Sequence, residues 1–351
     1  MGCIPIIIPA YEPDSRLIEL LKALMQQEMG PIVLVDDGSG PTYERLFAEA
    51  ADIMSDNGTL LVHDVNKGKG AALKNAFAYV LDRWPEATGV VTADSDGQHA
   101  PDCIERVREA LAQNPDSLIM GVRTFGGDDV PWKSRMGNRI TARVFAALTG
   151  FYISDTQTGL RGIPRELMVA CLDLPGDRFE FETQMLTCAH GKTPVVEVPI
   201  VTIYDSKDNH QTHFNTITDS WRIYRSLLRQ PLTFVLSSLV SCGTDIAAFA
   251  VICNMLRGVG GYVAISTVAA RLISATVNYT INSRIVFRSE RSDTVSAPRY
   301  VILAATIMAL SASLTTLGTY AFPAAPEVVI KVIVDGFLFV ASYVAQRQLV
   351  F

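Results

Sequence analysis

The chain has 351 residues and a mass of 38.3 kDa; 49% of the residues are hydrophobic, 19% are charged, and the mean hydropathy is +0.23. This apolar content excludes an intrinsically disordered chain, and the length allows about two domains. Residues 231–351 hold eight Lys/Arg and five Asp/Glu, whereas the first 230 residues hold 22 Lys/Arg and 31 Asp/Glu. We therefore expect an acidic part in water followed by a part in lipid. The acidic first part argues against a nucleic-acid-binding domain, which would be basic.

The six cysteines show no spacing typical of a metal site, which favours free thiols in a reducing compartment. The first 13 residues lack the basic start of a signal peptide and are interrupted by prolines. We therefore expect the first part of the chain to stay in the cytoplasm.

Short apolar runs alternate with helical patterns over the first 120 residues. The predicted strands are 4–8, 32–35, 60–63, 89–93 and 117–122, and the predicted helices are 15–27, 70–81 and 101–112. This alternation predicts an α/β fold with a mostly parallel sheet covered on both faces. Ligands bind beyond the carboxyl ends of such strands. Polar clusters follow these ends here: Tyr11-Glu12, Asp36-Asp37, Asp94-Ser95-Asp96 and Arg123.

The polar cluster after the fourth predicted strand has the chemistry of a metal site. Asp94, Asp96 and Gln98 offer hard oxygen atoms at alternate positions, and such atoms suit Mg²⁺ or Mn²⁺ bound together with substrate phosphates. An acidic turn without a metal is the alternative.

Two basic segments are candidate phosphate sites. Lys69 lies in the turn NKGKG before a predicted helix, where its charge and the free backbone amides suit a diphosphate. Arg135, Arg139 and Arg143 are spaced to share one helix face, and guanidinium groups bind phosphate through paired hydrogen bonds. An exposed basic turn and a solvated helix face are the alternatives.

The last third of the chain has the pattern of a membrane domain. An arginine-bearing stretch at 214–229 predicts a helix at the membrane surface. Apolar segments at about 231–256, 262–281, 300–320 and 328–345 each approach the roughly 20 residues that span hydrocarbon. The arginine-rich loop 284–299 predicts that this loop and both termini are cytoplasmic. ATVNYTINSRIVF at 275–287 matches FVASYVAQRQLVF at 339–351, so the last two segments look like a copy of the first two.

Nine motifs occur in order across residues 4–204: IIIPAYEP, VLVDDGSG, NKGKGAALKNAF, ADSDGQH, GVRTF, SRMGNR, SDTQTGLRG, RFEFETQML and VEVPIVTIY. They resemble the inverting GT-A glycosyltransferases of family 2, in the branch of polyprenyl-phosphate sugar synthases that are similar to dolichol-phosphate mannose synthase. The last third resembles the GtrA-like membrane domain that is fused to some of these enzymes. The resemblance implies a GT-A domain at 1–212, an amphipathic juxtamembrane helix at 213–230 and a four-helix transmembrane domain at 231–351. It also implies a multi-pass protein of the plasma membrane.

The resemblance implies roles for individual residues. Those expected to bind the nucleotide sugar, together with Lys69, are Pro9, Tyr11, Glu12, Val35, Asp37, Asp94, Ser95, Asp96, Arg123, Lys207 and His213. Asp96 and Gln98, with Asp94, would hold the Mg²⁺ or Mn²⁺ ion. Arg123, Arg135 and Arg139 would bind the acceptor phosphate. Asp96, Arg123 and Asp155 are the expected catalytic residues, with Asp155 beside the sugar.

The implied reaction transfers one sugar from a UDP- or GDP-linked donor, with a UDP-hexose expected, to a polyprenyl phosphate such as undecaprenyl phosphate. The QxxRW motif of processive relatives is absent, because Val80 stands where Gln would precede Arg83-Trp84. One alternative is a glycolipid translocator with pathway residues Asp245, Arg271, Lys331 and Asp335. Others are an enzyme for a hydroxyl acceptor, with Asp155 as base, and a non-catalytic sugar-nucleotide sensor. A homo-oligomer is left open.

Overall fold

The computed structural model describes residues 3–123, 141–143, 145–146, 149–201, 218–289 and 291–351. The chain divides into two compact units, Met1–Ser226 and Leu227–Phe351. The domain ranges 1–212, 213–230 and 231–351 stay a prediction.

The first unit is built on a seven-stranded sheet. The strands are β1 (Ile6–Ala10), β2 (Ile32–Asp36), β3 (Gly58–Val62), β4 (Gly89–Thr92), β5 (Leu118–Arg123), β6 (Arg161–Pro164) and β7 (Val195–Ile200). Their order across the sheet is β3-β2-β1-β4-β6-β5-β7, and only β6 runs antiparallel to its neighbours. The predicted α/β fold with a mostly parallel sheet is confirmed.

Helices cover the sheet, and this explains why β1, β2 and β4 are buried throughout. The helices described here are α1 (Ser15–Gln26), α2 (Glu44–Met54), α3 (Lys69–Arg83), α4 (Pro101–Gln113), α5 (Arg165–Leu172) and α6 (Glu180–Ala189). Asp14 caps α1 by accepting a hydrogen bond from the backbone N–H of Arg16. The apolar face of α1 includes the fully buried Leu17, Leu21 and Leu24.

The strand register brings the carboxyl ends of the central strands to one edge. Pro9 in β1 pairs with Val35 in β2, and Ile7 in β1 pairs with Thr92 in β4. Since β6 is antiparallel, its first residue, Arg161, lies beside Thr92. The segment that precedes β6 therefore enters the sheet at the same edge as the ends of β1, β2 and β4.

The second unit is helical. Its elements are α7 (Thr218–Met255, which begins in the first unit), α8 (Tyr262–Ile281), α9 (Asp293–Ala321) and α10 (Glu327–Ala345). Three stretches of the described residues are long and apolar enough to cross a membrane: Leu227–Met255, Asp293–Ala321 and Glu327–Val350. Helix α8 has 20 residues but also carries Arg271 and several Ser, Thr and Asn residues. The helical membrane region is confirmed, whereas the count of four spans stays a prediction.

The two copies of the sequence repeat contact each other through equivalent positions. Each ends in a five-residue π-helical segment, at Asn282–Val286 and at Gln346–Val350. The Asn282 amide donates to Gln346 Oε1 at 2.9 Å, and the rings of Phe287 and Phe351 stack with centroids 5.2 Å apart. Equivalent residues that pair with each other are typical of two halves related by an approximate two-fold axis.

Candidate active site

The ends of β1 and β2 are tied together at the edge where the predicted site lies. The backbone N–H of Asp37 donates to Ala10 O at 2.8 Å, and the N–H of Glu12 donates to Ser39 Oγ at 2.9 Å. Glu12 adopts the left-handed conformation, with φ 46°, which turns the chain sharply after Tyr11. The structure thus brings Pro9, Val35 and the turns that follow them to one place.

The carboxylate of Asp37 organises the loop before α3. Its oxygens accept from the backbone N–H groups of Lys67 (3.0 Å) and Gly68 (2.7 Å) and contact His63 Nδ1 at 2.8 Å. The amide nitrogen of Asn75 lies 3.0 Å from His63 Nε2. An amide NH₂ is only a donor, so His63 accepts at Nε2 and donates from Nδ1 to Asp37. This buried chain of hydrogen bonds fixes the loop that ends in Lys69.

Lys69, at the first position of α3, neutralises two acidic residues. Its Nζ lies 2.7 Å from Asp94 Oδ1 and 3.1 Å from Glu182 Oε1. Burial alone would lower the pKa of Lys69, but these two carboxylates outweigh burial and raise that pKa. Burial would likewise raise the pKa of Asp94, but the Lys69 charge holds it below its ordinary value. Asp94 is therefore a fixed carboxylate that already has a cationic partner.

A glycine makes room for Asp94 in the turn before β6. A Cβ atom on Gly159 would lie 2.2 Å from Asp94 Oδ2, which is closer than atoms can approach. The carbonyl of Gly159 accepts from Thr92 Oγ1 at 2.8 Å. The antiparallel strand β6 therefore brings the TGLRG segment against the end of β4.

Asp96 and Gln98 fit a divalent cation by the chemistry of their donor atoms. The Asp96 carboxylate is half-buried, and within the described ranges its one hydrogen bond is to the N–H of Gln98, at 3.0 Å. Burial first, and then the Asp94 charge, raise the pKa of Asp96, so a nearby cation would stabilise its charged form. The described residues contain no group of three or more His, Cys, Asp or Glu that would hold a metal alone. The residues thus fit an ion that also takes substrate oxygens.

His99 is buried just before α4. Its Nε2 lies 3.5 Å from Asp94 Oδ2, and neither ring nitrogen has a hydrogen-bond partner in the part of the chain described here. Buried polar atoms usually have a partner, so a ligand or water at this place would find free hydrogen-bonding capacity beside Asp94.

Arg123 and Asp155 form a two-pronged ion pair. Arg123 Nε and Nη2 donate to the two carboxylate oxygens of Asp155 at 2.6 Å and 2.9 Å, and Asp155 is fully buried. The N–H of Gln157 also donates to Asp155, at 3.2 Å. Because both oxygens are engaged, Asp155 orients Arg123.

Three residues of this edge were missed as functional candidates: Glu182, His63 and Arg161. Glu182 lies in the RFEFETQML motif. A carboxylate among apolar residues indicates a buried charge that needs a partner, and this pattern could have identified Glu182. The buried Arg161 donates to the carbonyls of Thr158 (2.9 Å) and Glu182 (2.8 Å), and so joins the turn before β6 to α6. Four predicted site residues, Lys207, His213, Arg135 and Arg139, lie outside the described residues.

Comparison with known proteins gives two family matches. Residues 6–169 match Glycosyl transferase family 2, and residues 226–351 match the GtrA/DPMS transmembrane domain. The chain is 29% identical over 219 residues to the UDP-N-acetylglucosamine--dolichyl-phosphate N-acetylglucosaminyltransferase of Methanococcus voltae, a match that covers 57% of this chain and 85% of the relative. It is also 29% identical over 204 residues to the polyprenol monophosphomannose synthase of Mycolicibacterium smegmatis, covering 56% and 75% of the two chains. An uncharacterized protein of Methanocaldococcus jannaschii matches at 29% over 206 residues, covering 57% and 81%.

The first family match lies within the first structural unit, and the second covers the whole of the second unit. The sheet edge that carries Asp94, Asp96 and Arg123 lies within the first match, and the apolar helices lie within the second. The chain combines a family 2 glycosyltransferase domain, matched over residues 6–169, with a GtrA/DPMS transmembrane domain, matched over residues 226–351.

Proposed function

We propose that this protein transfers one sugar from a nucleotide-diphosphate sugar to a polyprenyl phosphate, with inversion, at the cytoplasmic face of the plasma membrane. A UDP-hexose is the proposed donor and undecaprenyl phosphate the proposed acceptor. Relatives that are named for dolichyl-phosphate and polyprenol substrates support this choice of acceptor. The observation that carries the proposal is that Asp94, Asp96 and Arg123 stand at or just after the carboxyl ends of β4 and β5, on one edge of the sheet, in a chain with a membrane domain.

At the donor side, different residues position the loop, hold the metal ion and bind the nucleoside. Asp37 holds the loop that places Lys69, and Lys69 in turn fixes Asp94. Asp96 and Gln98 would hold Mg²⁺ or Mn²⁺, which supplies positive charge to the departing nucleotide diphosphate. Pro9, Tyr11, Glu12 and Val35 line the neighbouring strand ends, where the nucleoside would lie.

At the acceptor side, a phosphate needs no strong general base, because it is already anionic at neutral pH. Arg123 is held in a fixed orientation by Asp155, so it presents a cation at the end of β5. Positioning of the phosphate by Arg123, with Arg135 and Arg139, is the main catalytic contribution that we propose there. The engagement of both Asp155 oxygens disfavours the alternative hydroxyl acceptor, for which Asp155 would be the base.

The four candidate pathway residues of the membrane unit are paired with one another, which disfavours a translocation path. Asp245 lies 3.5 Å from Arg271 and accepts from Ser274 Oγ at 2.9 Å. Lys331 lies 2.9 Å from Asp335. The Asp245–Arg271 pair joins α7 to α8, and Ser311 of α9 donates to Asp335 of α10 at 2.6 Å, so an anchoring role is the one we propose for this unit.

The test is product formation by the purified full-length chain. It is incubated with a panel of UDP- and GDP-sugars, Mn²⁺ and undecaprenyl phosphate, and the lipid product is identified by mass spectrometry. We expect one donor class to give a lipid-linked monosaccharide, and Asp96→Asn to give none while it keeps the wild-type melting temperature. The matched control is Asp116→Asn, which changes an exposed carboxylate after α4 and should keep full turnover. Turnover by Asp96→Asn near that of the control would defeat the metal assignment, and product only with hydroxyl acceptors would defeat the proposed acceptor.

A further inference from the structure

A basic cavity of about 590 Å³ lies at the end of the membrane unit where α8 ends and α9 begins. Three arginines line it, Arg284, Arg288 and Arg291, together with three serines and Asp293. This cavity lies outside the glycosyltransferase family match, and no role proposed above uses it.

The arginines of this cavity keep hydrogen-bonding capacity for a ligand. Arg291 Nη1 donates to the carbonyls of Leu349 (3.2 Å) and Val350 (3.4 Å), which fixes one edge of the cavity to the C-terminal segment. Arg284 lies 3.8 Å from Asp293, a loose contact, and 73% of its side chain is exposed. Arg288 makes no hydrogen bond or ion pair with any residue in the described part of the chain.

The backbone holds Arg288 in an unusual conformation. Its φ is 46°, in the left-handed region that costs energy for a residue other than glycine. The neighbouring residues are fixed, because Phe287 stacks on Phe351 and the N–H of Ser289 donates to Ser283 O at 2.8 Å. The 29-residue helix α9, capped by Ser292, begins at the same cavity and adds the partial positive charge of a helix N-terminus.

Exposed apolar side chains flank the cavity. Ile285 is 62% exposed, Val295 44% and Leu349 63%, and all three belong to the same end of the helices. Arginines next to exposed apolar groups at the end of membrane helices match a lipid, with its phosphate at the boundary and its chains in the bilayer.

We propose that this cavity binds the phosphate of an anionic membrane lipid, as a site separate from the catalytic edge. Guanidinium groups favour phosphate because two parallel N–H groups match two phosphate oxygens. Inorganic phosphate shares this chemistry but lacks the acyl chains that the flanking apolar residues would contact. The proposal does not depend on the proposed sugar transfer.

The test measures lipid binding by the full-length chain in nanodiscs, without nucleotide sugar. Binding of phosphatidylglycerol, phosphatidylcholine and undecaprenyl phosphate is quantified by native mass spectrometry, with inorganic phosphate as competitor. A hydrogen bond to a charged group contributes about ten-fold in affinity, so Arg284→Gln combined with Arg288→Gln should weaken phosphatidylglycerol binding by at least about ten-fold. Two variants are matched controls. Arg257→Gln changes an exposed arginine that follows the C-terminal end of α7, and Arg299→Gln changes an arginine of α9 that does not line the cavity.

We expect both controls to bind as the wild type does, and inorganic phosphate to compete weakly. Equal loss in the Arg299→Gln control would show a diffuse surface-charge effect and overturn the site. Unchanged binding by the double variant, with an unchanged melting temperature, would also overturn it. Full competition by inorganic phosphate at equal concentration would overturn the assignment to a lipid.

Discussion

At the residue scale, Lys69 connects the two acidic groups of the site. Its ammonium group contacts Asp94 and Glu182, which come from the end of β4 and from α6. Only 17% of the Lys69 side chain is exposed, so solvent screens these contacts weakly. Removal of this cation would leave two nearby carboxylates in mutual repulsion.

We expect Lys69→Gln to lower kcat about 100-fold, because an unanchored Asp94 would shift and misplace the donor. The measurement is steady-state kinetics of the purified chain with its preferred donor. Lys74→Gln is the matched control: its ion pair, 2.6 Å from Asp177, involves a carboxylate that is 63% exposed and contributes less than about 1 kcal/mol. Equal losses in both variants would contradict a specific role for Lys69.

At the element scale, one loop connects β3 to α3 and depends on a buried hydrogen-bond chain. Asp37, His63 and Asn75 come from the end of β2, the end of β3 and the middle of α3. The loop between them passes so close to β2 that a Cβ on Gly38 would lie 2.2 Å from the backbone of Val65. The position of Lys69 is thus decided by contacts that join three elements.

We expect His63→Leu to lower the free energy of unfolding by about 1–3 kcal/mol, because Asp37 would lose a buried donor. It should also weaken nucleotide binding, since the loop that carries Lys69 would lose an anchor. The measurements are thermal unfolding and nucleotide affinity of the full chain. His63→Asn places an amide donor where Nδ1 lies, so partial recovery of both quantities is expected. No difference between the two variants would argue against the hydrogen bond as the cause.

At the scale of the whole molecule, the number of spans decides on which side the C-terminus lies. Three stretches meet the length and hydropathy of a span among the described residues, whereas four segments were predicted. Helix α8 is the predicted span that does not meet these criteria, and it carries Arg271 at its middle. Asp245 and Ser274 offer that arginine a polar surrounding, which lowers the cost of its burial in lipid.

We expect four crossings, with both termini in the cytoplasm. A fluorescent protein fused after Phe351 should be bright, because it matures in the cytoplasm. Alkaline phosphatase fused at the same place should be inactive, because it matures only outside the cytoplasm. The same phosphatase inserted at Gly260, between α7 and α8, should be active. An active phosphatase at the C-terminus would show an odd number of crossings.

The repeat supplies the reason why the membrane unit holds together. Tyr279 packs on Phe351 with ring centroids 5.7 Å apart, and the equivalent pair, Tyr343 and Phe287, packs at 5.9 Å. The sequence match between 275–287 and 339–351 predicted two related copies, but not that their ends would interlock. Contacts between sequence-distant segments depend on the helix arrangement, which no periodicity encodes.

The sequence by itself determined the α/β class, the clustering of polar residues after β1, β2, β4 and β5, and the apolar last third, because these follow from local periodicity and composition. Strand β7 and the antiparallel placement of β6 were decided only by tertiary structure, whereas helix α2, which was not predicted, has its buried residues Phe47, Ala50 and Met54 at helical spacing in the sequence. The pairs Lys69–Glu182, Arg123–Asp155 and His63–Asp37 join residues 26 to 113 positions apart. Such pairs form only when the sheet order brings strand ends together, because the energy that selects a partner for a buried charge comes from the fold around it.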